Sequence, residues 1–421
     1  MNNKYDVVVI GGGTAGTIAA IQAGREGAET LLVEKNAMLG GTMTIGGVNY
    51  PARFFAWGQQ VIAGIGWELV CKTLVETGRQ IPKPEETRPR EINVPVYAAL
   101  ADETVLNAGV DVLFHTMPAS ITFTNQGWTL QICTKTGLQN INAETLIDAT
   151  GDANAVALAG FEVVRPDIFQ PATLTFGCSG YDAEKLDYEA LRSASETAIK
   201  SGELATTDIS WRNNGPEALL RKYGNNSNHV RAPHAETSEG KSLVEIEGRK
   251  AILRMYRFFR KQPGLENFRI DWVCSETGIR ETGSIRGKKT VSVSDYEAGR
   301  MYDDALCYAF YSIDEHLNDG KGFNARRLKQ GILPTIPRAA MLPQGSKFLI
   351  AAGRCVASDR EANSALRVEC PCMAMGQAAG AMAALSARTG IDPEEIPLDD
   401  IRSLLRKHKA VIPGDIKPHR G

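Results

Sequence analysis

Gly11, Gly13 and Gly16 follow an apolar run, Tyr5–Ile10, and open an Ala-rich stretch, Thr14–Gly24. A second apolar run, Thr30–Val33, ends in Glu34. Strand, glycine turn, helix, strand and acid in this order make a βαβ unit whose chemistry is to hold a dinucleotide. Gly11 permits the tight turn out of the strand, Gly13 presents backbone without a Cβ to a pyrophosphate, and Gly16 lets the helix pack closely on the strand. Unpaired N–H groups at the helix N-terminus, with Thr14 and Ala15 in its first turn, favour phosphate. Glu34 stands where a ribose diol could donate to it, and Lys35 follows it as a further cofactor-binding candidate.

Three later stretches offer backbone close to a ligand. Gly40-Gly41-Thr42 is a glycine pair followed by a hydroxyl. An apolar strand, Ala143–Asp148, runs into Ala149-Thr150-Gly151-Asp152. A strand at Phe348–Ala352 runs into Gly353-Arg354, and a small-residue helix, Ala374–Met382, contains Gly376-Gln377-Ala378. Such a helix packs very close to something, and its N-terminus would favour developing negative charge.

The candidates for catalysis are basic. His229 and His234 lie in a loop ahead of a long helix and fit substrate contact or proton transfer, although ordinary surface histidines fit the pattern equally well. Arg280, in Gly278–Arg286, could clamp a carboxylate or polarise a carbonyl. His316 ends the polar cluster Ser312–His316, and Arg367 stands just ahead of the small-residue helix, placed for substrate or cofactor. No carboxylate or thiol accompanies the histidines at ligand spacing on a helix, so no metal site is expected.

The elements that must position these residues follow from periodicity. Helices are expected over Val61–Thr77, Val94–Ala108, Glu189–Gly202, Glu236–Gln262 and Asp399–His408. A strand is expected at Val110–His115, and a small meander at Ala119–Thr124, Trp128–Thr134 and Gly137–Asn142. Arg212–Ser227 reads as a polar loop with a short helix in it. The 421 residues suggest two or three lobes, and the formal net charge of -2 gives no electrostatic reason to expect nucleic acid or an anionic membrane. No stretch is apolar enough to span a bilayer, and Met1–Lys4 leads straight into the first strand without room for a signal peptide. The eight cysteines are scattered without a CxxC pair, which points to reduced, mostly buried thiols and a cytoplasmic location.

In this order and spacing the motifs resemble the FAD-dependent oxidoreductase family of glutathione-reductase-like flavoproteins, in a branch akin to the fumarate reductase and succinate dehydrogenase flavoproteins. The residues that carry the resemblance are Gly11–Gly16 with Glu34, Gly40-Gly41-Thr42, Asp148–Asp152, Gly278–Thr282, and Ala352–Cys355 continuing through Met375–Gly380. The resemblance implies an α/β fold: a Rossmann-like FAD-binding domain, with a parallel sheet and a small β-meander, plus an α+β substrate lobe. The FAD domain would be discontinuous, over 1–49, 100–170 and 340–421, and the lobe would take 50–99 and 171–339. FAD would lie with its pyrophosphate over Gly11, Gly13 and Gly16 and its adenosine ribose at Glu34. Gly353 and Arg354 would pass near the pyrophosphate and ribityl chain, and the Gly376-Gln377 helix would point its N-terminus at the flavin ring.

The implied activity is hydride transfer between flavin N5 and a small polar substrate, a carboxylate, sugar or polyol. Arg280 would anchor it, and His229, His234 or His316 would serve as acid/base. The alternative is a flavoprotein electron-transfer subunit acting with a redox partner; a third reading, an NAD dehydrogenase using the N-terminal βαβ unit alone, has no need of the Thr150–Asp152 and Gly353-Arg354 segments. The chain departs from the disulfide reductases in lacking a second GxGxxG unit and their redox cysteine pair; Cys370 and Cys372 are expected to be packing residues. The partners expected are a small-molecule substrate and an unidentified electron donor or acceptor, with assembly into a homo-oligomer compatible with the sequence.

Overall fold

The computed structural model describes residues 2–86, 90–209, 215–317 and 322–416. It opens with β1 (Lys4–Ile10), α1 (Thr14–Arg25) and β2 (Thr30–Val33), followed by α2 (Ile65–Glu76) and α3 (Val94–Asn107). Next come β3 (Asp111–Leu113), β4 (Met117–Thr124), β5 (Gly127–Thr134), β6 (Gly137–Asp148) and the short α4 (Asn154–Leu158). The middle of the chain supplies β7 (Phe176–Ser179), α5 (Tyr188–Ser201), β8 (Gly224–Asn225), α6 (Ser238–Phe259) and β9 (Arg269–Val273). The last part adds the hairpin β10 (Ile313–His316) and β11 (Phe323–Arg326), then β12 (Leu349–Ala351), α7 (Arg360–Leu366), α8 (Glu369–Thr389) and α9 (Leu398–Lys407).

The main sheet runs in the order β3-β2-β1-β6-β5-β4, with β12 also paired to β6. β1 lies between two parallel neighbours, Val8 opposite Leu31 on one side and Leu146 on the other. That position explains its unbroken apolar run, because helices cover both faces of a central parallel strand. The fold is therefore mixed α/β with a Rossmann-like, largely parallel sheet, as expected.

The expected meander and the strand leading to Asp148 prove to share one strand. β6 starts antiparallel to β5, with Leu138 opposite Cys133, and continues parallel to β1 as far as Ile10 opposite Asp148. Its first residues are mostly exposed and its last four are buried, so one strand passes from a solvated meander into the doubly covered core. The change of burial pattern within it is what made it read as two.

The buried apolar residues gather into three hydrophobic cores. One large core joins Tyr5–Val156 to Ile285–Ile412, and it includes Leu69, Val70 and Leu74 of α2 and Tyr97, Ala101 and Val105 of α3. Two smaller cores are built between Ala172 and Ile279. Apolar residues such as Phe54, Leu69, Tyr97, Leu306 and Ile336, from segments expected in the substrate lobe, are buried in the large core. In the Arg212–Ser227 stretch the short helix is present at Pro216–Leu220, while 212–214 lie outside the described residues.

Candidate functional site

The first part of the site is a backbone cradle at the end of β1. Gly11 has φ +100°, and a Cβ there would stand 2.6 Å from the Ala149 carbonyl oxygen. A Cβ on Gly16 would overlap the Gly11 carbonyl oxygen and stand 2.9 Å from the Ala149 side chain. Both glycines are thus required by packing. Gly13 is different: a Cβ there would meet nothing nearer than Gly41 Cα at 3.9 Å. Protein contacts leave Gly13 open, so its bare backbone faces something other than this chain. Gly13 also caps α1 with no side-chain hydrogen bond, and no acidic residue lies in the first turn, where Thr14 and Ala15 stand. This leaves the donors and the positive end of the helix dipole to an anion.

Glu34 is buried at the edge of this cradle, with Oε2 accepting from the Gly12 N–H (2.6 Å) and Oε1 from the Asn36 N–H (2.7 Å). Burial pushes its pKa up, against the two N–H donors. Each carboxylate oxygen retains a further lone pair for a hydroxyl. Gly41, φ +57°, is held against Gly13, and Thr14 Oγ1 donates to the Gly40 carbonyl at 3.2 Å; Thr42 follows within the same short 3-10 turn. Lys35 follows Glu34 and turns to another partner. Its half-exposed ammonium pairs with Glu276 at 3.0 Å.

The second wall of the cradle is the turn after β6. Asp148, fully buried, accepts from the Thr150 N–H (2.9 Å), the Thr150 hydroxyl (2.7 Å) and the Val156 N–H (2.9 Å), which folds Thr150–Asp152 into place. Asp152 accepts from Thr282 Oγ1 (2.8 Å) and from the Arg354 guanidinium. Burial opposes the Arg354 charge, but Asp152 outweighs it and the pKa is raised. Arg354 lies against Gly151, its Nε is buried without an acceptor, and Gly353 (φ +96°) turns the chain beside Ala15. An orphaned guanidinium nitrogen is a donor open to a ligand or a water molecule.

Gly376, Gln377 and Ala378 have another place than expected. α8 starts at Glu369, so these residues are two turns inside it. Cβ atoms on Gly376 and Gly380 would overlap the carbonyl oxygens of Ala15 and Ala19. The stripe of small residues is therefore the seam that lets α8 cross α1. Gln377 accepts from the Ile65 N–H and donates to Gln22, both at 3.1 Å, so it ties three elements together. The residues at the helix start are Arg367, Val368 and Glu369. Cys370 and Cys372 are buried free thiols whose pKa values burial raises, in keeping with packing.

The second part of the site is a cluster of ionisable groups drawn from four segments. His229 Nε2 lies 2.9 Å from His316 Nδ1, and His316 Nε2 lies 3.3 Å from Asp314 Oδ2. Both rings are buried. Arg280 Nη1 donates to the Pro171 carbonyl at 2.6 Å, and Arg367 Nη2 approaches the Asp314 carbonyl and Gln170 Oε1, each at 3.3 Å. Arg280, Glu281 and Thr282 connect the two parts: the first joins the cluster, the second binds Gln170, and the third binds Asp152 of the cradle.

The charges of this cluster shape one another. Burial first, and Arg280 second, push the His229 pKa down to about 2 and that of His316 to about 4, where Asp314 acts in the opposite direction. Burial works against the Asp314 carboxylate as well, but His316, Arg367 and Arg280 hold its pKa below the ordinary value. Near neutral pH both imidazoles of the cluster are thus uncharged. Glu369, close to Arg367, is the exception among the acids: burial raises its pKa to about 7. Both polar atoms of the fully buried Asn228 amide, and Arg367 Nε, have no hydrogen-bond partner among the described residues. This arrangement can bind an anion and accept a proton from it.

His234, a candidate from the sequence, lies apart. Its side chain is 70% exposed, and Nδ1 stands 3.5 Å from Glu236 on the surface turn before α6. Asp314, Gln170, Asn228 and Glu369 carried no pattern that singled them out. Only the neighbourhood of Asp314 to His316 was visible as a polar cluster.

The histidine shifts predict a pH dependence. The unfolded chain takes up protons at these positions below about 6.5, while the folded chain takes them up only near 4 and 2. Their contribution to stability is complete above 6.5 and is lost as the pH falls toward those values. Thermal midpoints measured between about pH 7.5 and about 4.5 should fall, and fall less in a His229→Phe variant. An equal fall in both would remove the assignment.

A family model described as FAD dependent oxidoreductase matches residues 6–405. The chain belongs to that family, and it is accordingly an oxidoreductase enzyme whose cofactor is FAD. A dihydrolipoyl dehydrogenase of Trypanosoma brucei brucei is 58% identical over 40 residues, which are 10% of this chain and 8% of that protein. Among solved structures, a geranylgeranyl bacteriochlorophyll reductase-like protein from Thermoplasma acidophilum aligns over 96% of this chain and 84% of its own, at 14% identity and TM-score 0.45. An aklavinone-11 hydroxylase, solved with FAD and aklavinone, aligns over 44% of this chain and 40% of its own, at 18% identity and TM-score 0.28. No helix among the described residues is long and apolar enough to cross a membrane.

Proposed function

We propose that this FAD-dependent oxidoreductase moves a hydride between the flavin and a small polar anion, a carboxylate in preference to a neutral sugar or polyol. The observation that carries the reading is the buried His229–His316 pair, joined to Asp314 and flanked by Arg280 and Arg367. Arg280 and Arg367 bring two guanidinium groups to the pair of imidazoles, and a guanidinium suits a carboxylate in charge and in geometry.

The cofactor would be held by Gly11, Gly13, Thr14, Ala15 and Gly16 at its pyrophosphate and by Glu34 at its ribose. Gly41, Thr42, Thr150, Gly151, Asp152, Gly353 and Arg354 would complete the cradle, and the open face of Gly13 and the orphaned Arg354 Nε support this assignment. Bound FAD supplies a two-electron acceptor or donor. The residues of the chain do the rest. Arg280 and Arg367 fix the carboxylate, which sets the orientation on which such transfers depend. An uncharged imidazole of the His229–His316 pair takes the proton released beside the hydride, and Asp314 stabilises the imidazolium that forms. The Asn228 amide offers a donor and an acceptor to the same substrate.

Anaerobic bleaching of the flavin absorbance against hydroxy acids, polyols, sugars and amines tests the reading. Bleaching is expected with hydroxy acids and not with the neutral compounds. Bleaching by polyols alone would sink the anion preference, and bleaching by none would turn the choice toward an electron-transfer subunit that needs a redox partner.

A further inference from the structure

Gln170 belongs to no sequence motif, yet it lies where the pieces of the charged cluster meet. It is fully buried. Its backbone N–H and its side-chain Nε2 both donate to the Glu281 carboxylate, the latter at 2.7 Å. An ionised carboxylate only accepts, so this end of the amide must be the NH2 end. The oxygen end is then turned to the opposite side, where it accepts from the His316 N–H at 3.1 Å and from Arg367 Nη2 at 3.3 Å. Arg360 closes the network by binding Glu281 (3.1 Å) and Glu315 (2.9 Å), the latter adjacent to His316 on β10.

We propose that Gln170 is a positioning residue that holds His316 and Arg367 in one register, so that the anion anchor and the proton acceptor face the same substrate. The inference rests on the anion-site reading above. Gln170 acts through the two residues it binds. With Nη2 of Arg367 turned toward Gln170 and the Asp314 carbonyl, Nε is left buried without an acceptor and is the donor a bound anion would use.

A glutamate at this position makes the test. Its protonated form has one O–H to donate to Glu281 and one carbonyl oxygen to accept from His316 and Arg367, which copies the amide. Its ionised form has no donor and faces the Glu281 carboxylate, and two carboxylates in one buried site resist losing both protons. Gln170→Glu should therefore resemble the wild type in acid and lose its function as the pH rises. Gln170→Leu, which has no polar atom, should be impaired at every pH.

The measurement is the dissociation constant of oxalate for the FAD-loaded protein across pH, followed by calorimetry, with flavin content and melting midpoint recorded for each variant. Gln170→Leu should bind oxalate about tenfold more weakly. Gln170→Glu should bind normally in acid and weaken progressively in base relative to wild type. A role in folding alone would lower the melting midpoint without giving Gln170→Glu this pH-dependent recovery. Should Gln170→Leu fail to fold, the acid-to-base comparison in Gln170→Glu still decides. Oxalate binding by the wild type that the variants share unchanged at every pH overturns the inference alone. No oxalate binding by any of the proteins overturns the anion-site reading and the inference with it.

Discussion

Replacing Gly16 with valine should yield a protein that is insoluble or free of flavin, whereas replacing Gly13 with alanine should yield a folded protein that holds flavin weakly. The contrast follows from what each new Cβ would meet. At Gly16 it would overlap the Gly11 carbonyl oxygen, and the Ala149 side chain would stand 2.9 Å away. α1 would have to retreat, but α8 blocks it from behind, with Gly376 and Gly380 seated on the carbonyl oxygens of Ala15 and Ala19. Overpacking a tight core costs about 1–3 kcal/mol for modest insertions and more for branched ones. Set against a total stability of about 5–15 kcal/mol, the valine is a large fraction of the whole. At Gly13 the nearest atom would be Gly41 Cα at 3.9 Å, so the folded chain has no reason to resist alanine there. Only a ligand lying against that backbone would. Flavin-to-protein ratios and melting midpoints of the two variants, measured without added FAD and then with it, separate the effects. A Gly13→Ala protein with full flavin content would show that the phosphates do not lie where we place them.

Removing the ring of His316 should slow reduction of the bound flavin by substrate by about 10²–10⁴-fold, the usual worth of a positioned acid or base. His316 is the middle of the chain that links His229 at 2.9 Å to Asp314 at 3.3 Å. His316→Asn keeps polar atoms near both neighbours but cannot accept and pass a proton at that position. The flavin should remain bound, because the cradle is built by other segments, Gly11–Gly16, Thr150–Asp152 and Gly353-Arg354. In the wild type the acid limb of kcat/KM, which reports the free enzyme, should fall near 4 rather than near the ordinary histidine value of 6.5. Stopped-flow reduction under anaerobic conditions gives the rate, and a rate within a few-fold of wild type in His316→Asn would remove the histidine chain from the mechanism.

Much of this protein is legible before any coordinates. The unit from Lys4 to Glu34 is local: glycine spacing, apolar runs and a terminal acid lie within one βαβ segment, and each follows from steric rules acting over a few residues. Expected helices such as Val94–Ala108 and Glu189–Gly202 appear within a residue or two, because their apolar periodicity is also local. Residue type alone singled out His229, Arg280, His316 and Arg367, which the fold brings into one cluster. The same reasoning also named Lys35, His234 and Gln377, to which the fold gives other partners. A lysine beside a cofactor acid, a histidine beside another histidine and a glutamine after a glycine look no different when they bind a surface acid, face solvent or tie helices together.

Tertiary structure decided what burial and distance decide. It paired His229 with His316 across 87 residues of chain and lowered both pKa values by enclosing them beside Arg280. It showed that the small residues of α8 are a helix seam, and that the ionisable residues stand at the start of that helix rather than in its middle. It found Gln170, whose importance lies wholly in Glu281, His316 and Arg367, three partners far from it in sequence. Periodicity and glycine spacing record how a segment folds on itself. Desolvation and charge coupling arise only when distant segments meet, so the glycine turn of the βαβ unit could be read from the chain and the arrangement of the catalytic candidates could not.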